Sequence, residues 1–251
     1  MVINDTVKDI LINSTIRDNV LYLPDVQLDR KTYESVNKVI EMLGGKWNRK
    51  LRGHVFEVDP TGKITDACTH GKVTDWKQDF QFFPTPRNIA EHMCDLAEIN
   101  GNSFVLEPSC GKGDLADVIY ERSPAMLWGI EINPDMDVHL RNKPYDTAVN
   151  VDFLKEEVSG FWDRIIMNPP FNCGNGTYDI DHIMKAYSIL ADGGILVSVV
   201  SESAFQNNYK KAEAFRRFLK EHNAYIEKND NNAFKSSGTS VATRLIKVVK
   251  S

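Results

Sequence analysis

The sequence predicts a doubly wound α/β domain with a small N-terminal α+β appendage. From Ser103 onward, short apolar β-rich runs alternate with helical stretches, which indicates a mainly parallel sheet covered on both faces. The least ordinary sequences, "EPSCGKGD", "EINPD" and "NPPF", each follow such a run, and ligands of open α/β sheets sit at the carboxyl ends of the strands. The first eighty residues lack that alternation and are read as a separate region.

In that region Asp29 is positioned to cap a helix, with Tyr33, Val36, Ile40 and Leu43 at helical spacing and a stop at Gly44 and Gly45. "KWNRKLRGHVFEV" reads as a β-hairpin, and it gathers Lys46, Arg49, Lys50, Arg52 and His54 without an acid. Two readings stay open, a solvated charged hairpin and a phosphate-contacting patch flanked by Trp47. Residues 59–75, rich in turn formers, read as a linker, so the expected division is 1–75 and 76–251. Beyond it, "SFVLEPS" is a strand, Asp114 to Arg122 a helix and "MLWGIEI" a strand. A short helix near Asp135 and the strands "TAVNVDF" and "DRIIMN" follow. A helix from Asp179 to Leu190, the strand "GGILVSVVSE", a helix from Lys210 to Lys220 and the strand "VATRLIKVVK" complete the series.

With 251 residues, 42% of them hydrophobic, the chain can bury a substantial core. A formal net charge of -5 argues against nucleic-acid binding through bulk charge, leaving local patches as the route. Cys68, Cys94, Cys110 and Cys173 form no C-x-x-C pair, which favours reduced thiols and predicts no metal. The N-terminal stretch lacks a basic-then-apolar signal and no apolar run reaches the roughly 20 residues of a membrane span. A cytoplasmic protein is the expectation.

Gly111 and Gly113 lie between a strand and a helix, where glycine lets backbone amides approach a ligand. Glu131 ends the next strand, about twenty residues on, where a carboxylate can accept from two ribose hydroxyls. These features predict nucleoside binding. Glu107 is either a cap of the glycine turn or a cofactor-side acid, and Asp152 either a helix N-cap or an acceptor for an adenine amine. In "NPPF" two prolines fix a rigid turn after Asn168. The side-chain oxygen of Asn168 and the carbonyl of Pro169 can accept from the two hydrogens of a planar amine and favour its pyramidal form. Phe171 is expected to face a cleft and stack on a base, and the glycines at 174 and 176 read either as a flexible loop alone or as a loop able to close over an extruded base. His139 and His182 read as surface or satisfied helical histidines. Arg216, Arg217 and Lys220 read as a solvated face, and Ser201 and Glu202 have no assigned role.

Over about residues 78 to 250 the chain resembles the amino-group DNA methyltransferases that use S-adenosylmethionine, in particular the N6-adenine enzymes with an N-P-P-[YF] motif. The resemblance implies a Rossmann-like class I fold with a seven-stranded sheet. It places Phe82, Phe83, Thr85 and Pro86 of "QFFPTPRNIAEHM" at the cofactor, with Glu107, Pro108, Ser109, Gly111 and Gly113 of the glycine-rich motif. Glu131 and Ile132 go to the ribose side, Asp152 and Phe153 to the cofactor's adenine, and Asn168, Pro169, Pro170 and Phe171 to catalysis, Asn168 also touching cofactor. Members usually carry a target-recognition domain, and nothing after Ser201 is large enough to be one. The first seventy-five residues, with Lys46, Trp47, Arg49, Lys50 and Arg52 as substrate contacts, are one replacement; a specificity subunit or a second copy is another. DNA in a restriction-modification setting is the expected substrate. Adenine in structured RNA and protein glutamine are the enzyme alternatives, and a nucleic-acid-binding protein that holds the cofactor without methylating is the non-enzyme alternative.

Overall fold

The computed structural model describes residues 1–73, 83–171, 177–230, 233–235 and 241–251. The chain divides into two compact units, Met1–Phe80 and Gln81–Ser251.

The first unit runs α1 (Asp5–Ile12), β1 (Thr15–Arg17), β2 (Val20–Tyr22), α2 (Arg30–Met42), β3 (Lys46–Asn48), β4 (Gly53–Val55) and α3 (Thr61–His70). Its four strands form an antiparallel sheet in the order β1-β2-β4-β3. Asp29 caps α2 as expected, accepting from the Thr32 amide at 3.0 Å. Val36, Val39 and Ile40 of that helix meet Val7, Leu11, Leu21 and Phe56 in one apolar core. The stop after α2 has a packing cause at Gly45, where a Cβ would lie 2.5 Å from Ile40 Cγ2 and 2.6 Å from Phe56 Cζ. The linker expected over 59–75 is corrected, since most of it is α3. Asp59 accepts from the Thr61 amide at 2.8 Å, and Ile64 and Ala67 are buried one turn apart. Turn-forming residue types here cover the exposed side of a short helix.

The second unit has a seven-stranded sheet in the order β10-β11-β9-β8-β5-β6-β7. Its strands are β5 (Phe104–Glu107), β6 (Met126–Glu131), β7 (Asp146–Val149), β8 (Trp162–Met167), β9 (Leu190–Ser201), β10 (Tyr225–Lys228) and β11 (Thr243–Val249). β5 to β9 are parallel, and β11 runs antiparallel to both β9 and β10. Helices α4 (Arg87–Ala97), α5 (Asp114–Glu121), α6 (Asp137–Leu140), α7 (Tyr178–Ile189), α8 (Ser203–Gln206) and α9 (Lys210–Glu221) complete it. Neighbouring strand residues feed opposite cores, Val105, Val197 and Leu245 into one, Leu106, Leu196 and Ile246 into the other. That is why these strands read as continuous apolar runs. Expected β7 is shorter than "TAVNVDF", because Asn150 turns left-handed at φ 62°.

From β5 the chain moves outward through β6 and β7, then returns to lay β8 on the other side of β5. This reversal is a topological switch point, and the crevice beyond the carboxyl ends of β5 and β8 is where an open α/β sheet takes a ligand. No helix among the described residues is long and apolar enough to cross a membrane.

Candidate active site

At that crevice the turn after β5 is built almost wholly from backbone. The Cys110 amide donates to Ile130 O at 2.9 Å and the Gly113 amide to Cys110 O at 2.7 Å. Gly111 and Gly113 take left-handed φ values of 56° and 93°, a region that penalises a Cβ. At Gly113 a Cβ would also lie 2.5 Å from Tyr145 Oη. Tyr145 is held there by donating to Asp117 Oδ1 at 2.8 Å, while Lys143 pairs with the other oxygen at 2.5 Å. The second glycine is therefore fixed by packing as well as by ligand approach.

Glu131, at the end of β6, is buried and doubly anchored. Its Oε2 accepts from the Gly111 amide and its Oε1 from the Asn133 amide, each at 2.7 Å. Burial raises the pKa of this carboxyl, and the amides of Asn133, Gly111 and Ile132 partly offset it. Each oxygen keeps a further acceptor site. Next to it Ile132 stands 43% exposed, an apolar side chain at the rim suited to lie against a flat ring.

At the end of β8, Asn168 is the most constrained polar group. Its Nδ2 donates to Phe83 O at 3.0 Å and to Thr85 Oγ1 at 3.1 Å. A carbonyl can only accept, so Phe83 fixes which end of the amide is nitrogen. Both amide hydrogens are thereby used, and Oδ1 is buried without a partner among the described residues. Thr85 is itself buried, and Pro86 stands directly before α4. The aromatic-Thr-Pro segment thus orients the asparagine; its Phe82 lies outside the described residues.

In the β5 turn, Glu107 Oε2 and Ser109 Oγ are also buried without a partner among the described residues. Glu107 is enclosed, with buried Pro108 following it. Burial holds its pKa well above the usual carboxyl range, reinforced by Asp114, Glu131 and Asp117, with the Ala116 amide acting the other way. An excess of acid around unsatisfied acceptors suits a ligand that carries positive charge and hydrogen-bond donors.

Asp152 does not cap a helix, because residues 153–155 after it form a turn. Its Oδ1 accepts from the Leu154 amide at 3.0 Å within that turn, and the residue stays partly exposed beyond the end of β7. Burial acts to raise its pKa but is outweighed by Lys155 and the Leu154 amide, so the carboxyl lies below its ordinary value. Phe153 is buried. His182 is the satisfied helical histidine of the two sequence readings rather than a surface one: it is buried, its Nδ1 donates to Tyr178 O at 2.8 Å, and its ring centroid lies 5.8 Å from that of Phe153. Burial lowers its pKa. Sequence spacing carried no sign of this pairing.

Phe171 departs from expectation. It is 4% exposed within an apolar core, its ring stacked on Phe83 with centroids 6.4 Å apart and planes 16° from parallel. After Pro169 and Pro170 the chain turns this ring inward rather than leaving it open. The glycine loop at 172–176 lies outside the described residues. Beyond β9, Asp179 Oδ2 accepts from the Ser201 amide at 3.0 Å and its hydroxyl at 2.6 Å. Glu202 forms a two-bond pair with Arg244 at 2.8 and 2.7 Å. Arg216, expected on a solvated face, donates to Ala204 O and Asn207 O and ties α9 to this end of the sheet.

In the first unit β3 and β4 form the expected hairpin, pairing Lys46 with Val55 and Trp47 with His54. Lys46, Arg49, Lys50 and Arg52 are exposed, and Trp47 is 51% exposed.

No family model matches the chain. In sequence it is similar to Modification methylase CviBIII of Paramecium bursaria Chlorella virus NC1A, 34% identical over 97 residues that span 36% of this chain and 25% of that protein. It is also similar to the Type II restriction enzyme and methyltransferase RM.BcgI of Heyndrickxia coagulans, 26% identical over 169 residues, 55% of this chain and 26% of that protein. The chain thus spans about a quarter of the length of these curated relatives. In structure it is similar to the methyltransferase subunit of a type I restriction-modification system from Streptococcus thermophilus. There the TM-score is 0.54 at 21% identity, over 66% of this chain and 44% of that one.

Proposed function

We propose that this chain, which has the fold of the class I S-adenosylmethionine-dependent methyltransferases, methylates the N6 amine of adenine in DNA. The observation that carries the reading is the Asn168 amide, whose nitrogen is fully engaged while its oxygen is buried and, among the described residues, unpaired. Such an oxygen is a preorganised acceptor, and an amine is what it lacks.

The residues around it fit S-adenosylmethionine. Glu107 and Ser109 offer unsatisfied acceptors to a cationic amino-acid end, Glu131 has free lone pairs for ribose hydroxyls, and Ile132, Asp152 and Phe153 border the place of the adenine. Gly111 and Gly113 admit the ligand to the backbone. When bound, the cofactor supplies an electrophilic methyl group on a sulfonium.

Asn168 Oδ1 and the Pro169 carbonyl would accept the two hydrogens of the target amine. That withdraws its lone pair from the ring and directs it outward. An amide suffices because the amine sheds its proton only after it has become cationic, so no strong base is needed. Phe171 is the aromatic surface that an extruded base would meet, and its stack with Phe83 has to open to receive one. The similarity to a modification methylase and to a restriction and methyltransferase protein supports DNA as the acceptor.

The test is transfer of labelled methyl from S-adenosylmethionine to unmethylated DNA, with RNA and protein in parallel and nucleoside analysis of the product. N6-methyladenine in DNA is expected. Asn168→Ala should lower transfer by at least about 100-fold and leave S-adenosylhomocysteine affinity, measured by calorimetry, nearly unchanged. Label confined to RNA or to protein glutamine would overturn the DNA assignment, and retained turnover in the variant would overturn the role of Asn168.

A further inference from the structure

The register of the first unit's sheet sorts its side chains into two faces. Ile16, Leu21, His54 and Trp47 are cross-strand partners in one row. Leu21 and His54 are fully buried there, with His54 Nε2 2.9 Å from Asn37 Oδ1 on α2. That row faces the helices, and Trp47 sits at its end. Residues one place away point oppositely, which puts Arg17, Val20, Val55 and Lys46 in a second row and Thr15, Tyr22, Gly53 and Asn48 in a third on the same outer side.

Two contacts verify this outer face. A Cβ on Gly53 would lie 2.7 Å from Val20 Cγ1 and 3.1 Å from Tyr22 Cδ1, so Tyr22 lies across the sheet over the glycine. The guanidinium of Arg17 sits over the Tyr22 ring, 5.8 Å from its centroid. At the β3–β4 turn Arg49, Lys50 and Arg52 continue the same basic stretch, with Arg52 in a left-handed conformation at φ 52°. Elsewhere in the unit, Lys8 pairs with Asp5 and Arg30 with Glu34. The outer-face cations have no ion pair among the described residues.

We propose that Arg17, Tyr22 and Lys46, continued by Arg49, Lys50 and Arg52, bind the sugar–phosphate backbone of duplex DNA without regard to sequence. The choice of DNA rests on the methyltransferase reading above. Exposed cations gathered from β1, β3 and a turn match the charge of phosphates, and a flat phenol ring beneath a guanidinium adds a surface for sugar or base. Trp47, the aromatic that the sequence associates with this hairpin, lies on the other face. Tyr22 takes its place, and Arg17 joins from a strand that sequence reading did not identify.

The experiment uses the full chain and a fluorescent duplex of arbitrary sequence, with affinity measured by anisotropy across a salt series. Each phosphate contact contributes about 0.9 to the log–log salt slope. Replacing Lys46, Arg49, Lys50 and Arg52 together with Gln should lower the slope by about 3 to 4, and Arg17→Gln alone by about 1. Lys31→Gln with Lys38→Gln, on α2, should leave it unchanged. Slopes that do not move, a control that moves as much, or polyglutamate competing as well as DNA would overturn the proposal. Equal or tighter binding of duplex RNA through the same residues would overturn the assignment to DNA. Methyl transfer and S-adenosylhomocysteine binding are measured on the same preparations. Lost transfer with an intact residue-dependent slope refutes the enzyme reading alone, and intact transfer with an insensitive slope refutes this face alone.

Discussion

Asn168 owes its geometry to a carbonyl 85 positions earlier in the chain. Gly113 owes its identity to a tyrosine hydroxyl. Gly113→Ala should therefore cost about 1–3 kcal/mol from the left-handed φ together with the clash. Adding Tyr145→Phe removes the atom that the new methyl meets, so the double variant should recover part, but not all, of the loss in a urea melt. Full additivity of the two changes would sink this account. Glu107 makes a prediction in pH. Its folded pKa lies above the ordinary 4.5, first because it is buried and then because of neighbouring acids. Below 4.5 both folded and unfolded chains hold the proton. As pH rises past 4.5 the unfolded chain releases it while the folded chain does not, so stability falls until the raised pKa is passed and then levels off. Denaturant midpoints of the native protein should thus fall with rising pH relative to those of Glu107→Gln, and parallel pH profiles would refute the assignment.

At the scale of elements, β8 and β9 carry the second unit, and Ile165 is wholly buried in β8. Ile165→Val should cost about 0.5–1.5 kcal/mol and Ile165→Ala about 2–5 kcal/mol in a urea melt; a near-neutral alanine variant would mean that the core beside β8 is loosely packed. The central strands were legible because both faces are buried, which leaves unbroken apolar runs in the sequence. β10 was not read, because it spans four residues on a sheet edge, three of them exposed and none buried, so it leaves no apolar run in the sequence. β1 and β2 span three residues each, too short for any period to register. Site residues at strand ends, Glu107 and Glu131 as the last of β5 and β6 and Asn168 just after β8, were placed by strand-end logic. The Asn168 clamp, the Phe153–His182 pair and the inward turn of Phe171 join parts of the chain that only the folded sheet brings together.

For the molecule as a whole, the two units differ in what they hold. The second contains the buried acids and unpaired acceptors of the crevice, the first an acid-free basic stretch. Hydrogen exchange with S-adenosylhomocysteine should slow amides at the carboxyl ends of β5, β6 and β8, with the first sheet as internal reference. Protection elsewhere than at these strand ends would contradict the placement of the ligand. The strand order has a consequence for synthesis. β9 pairs with β8, made before it, but its other edge waits for β11, made about forty residues after it. At ribosomal speeds of about 5–20 residues per second, a nascent chain carries that apolar edge uncovered for several seconds. During those seconds the edge can recruit a neighbouring nascent chain, so the hairpin of β10 and β11 serves the growing polypeptide as the seal that ends its exposure.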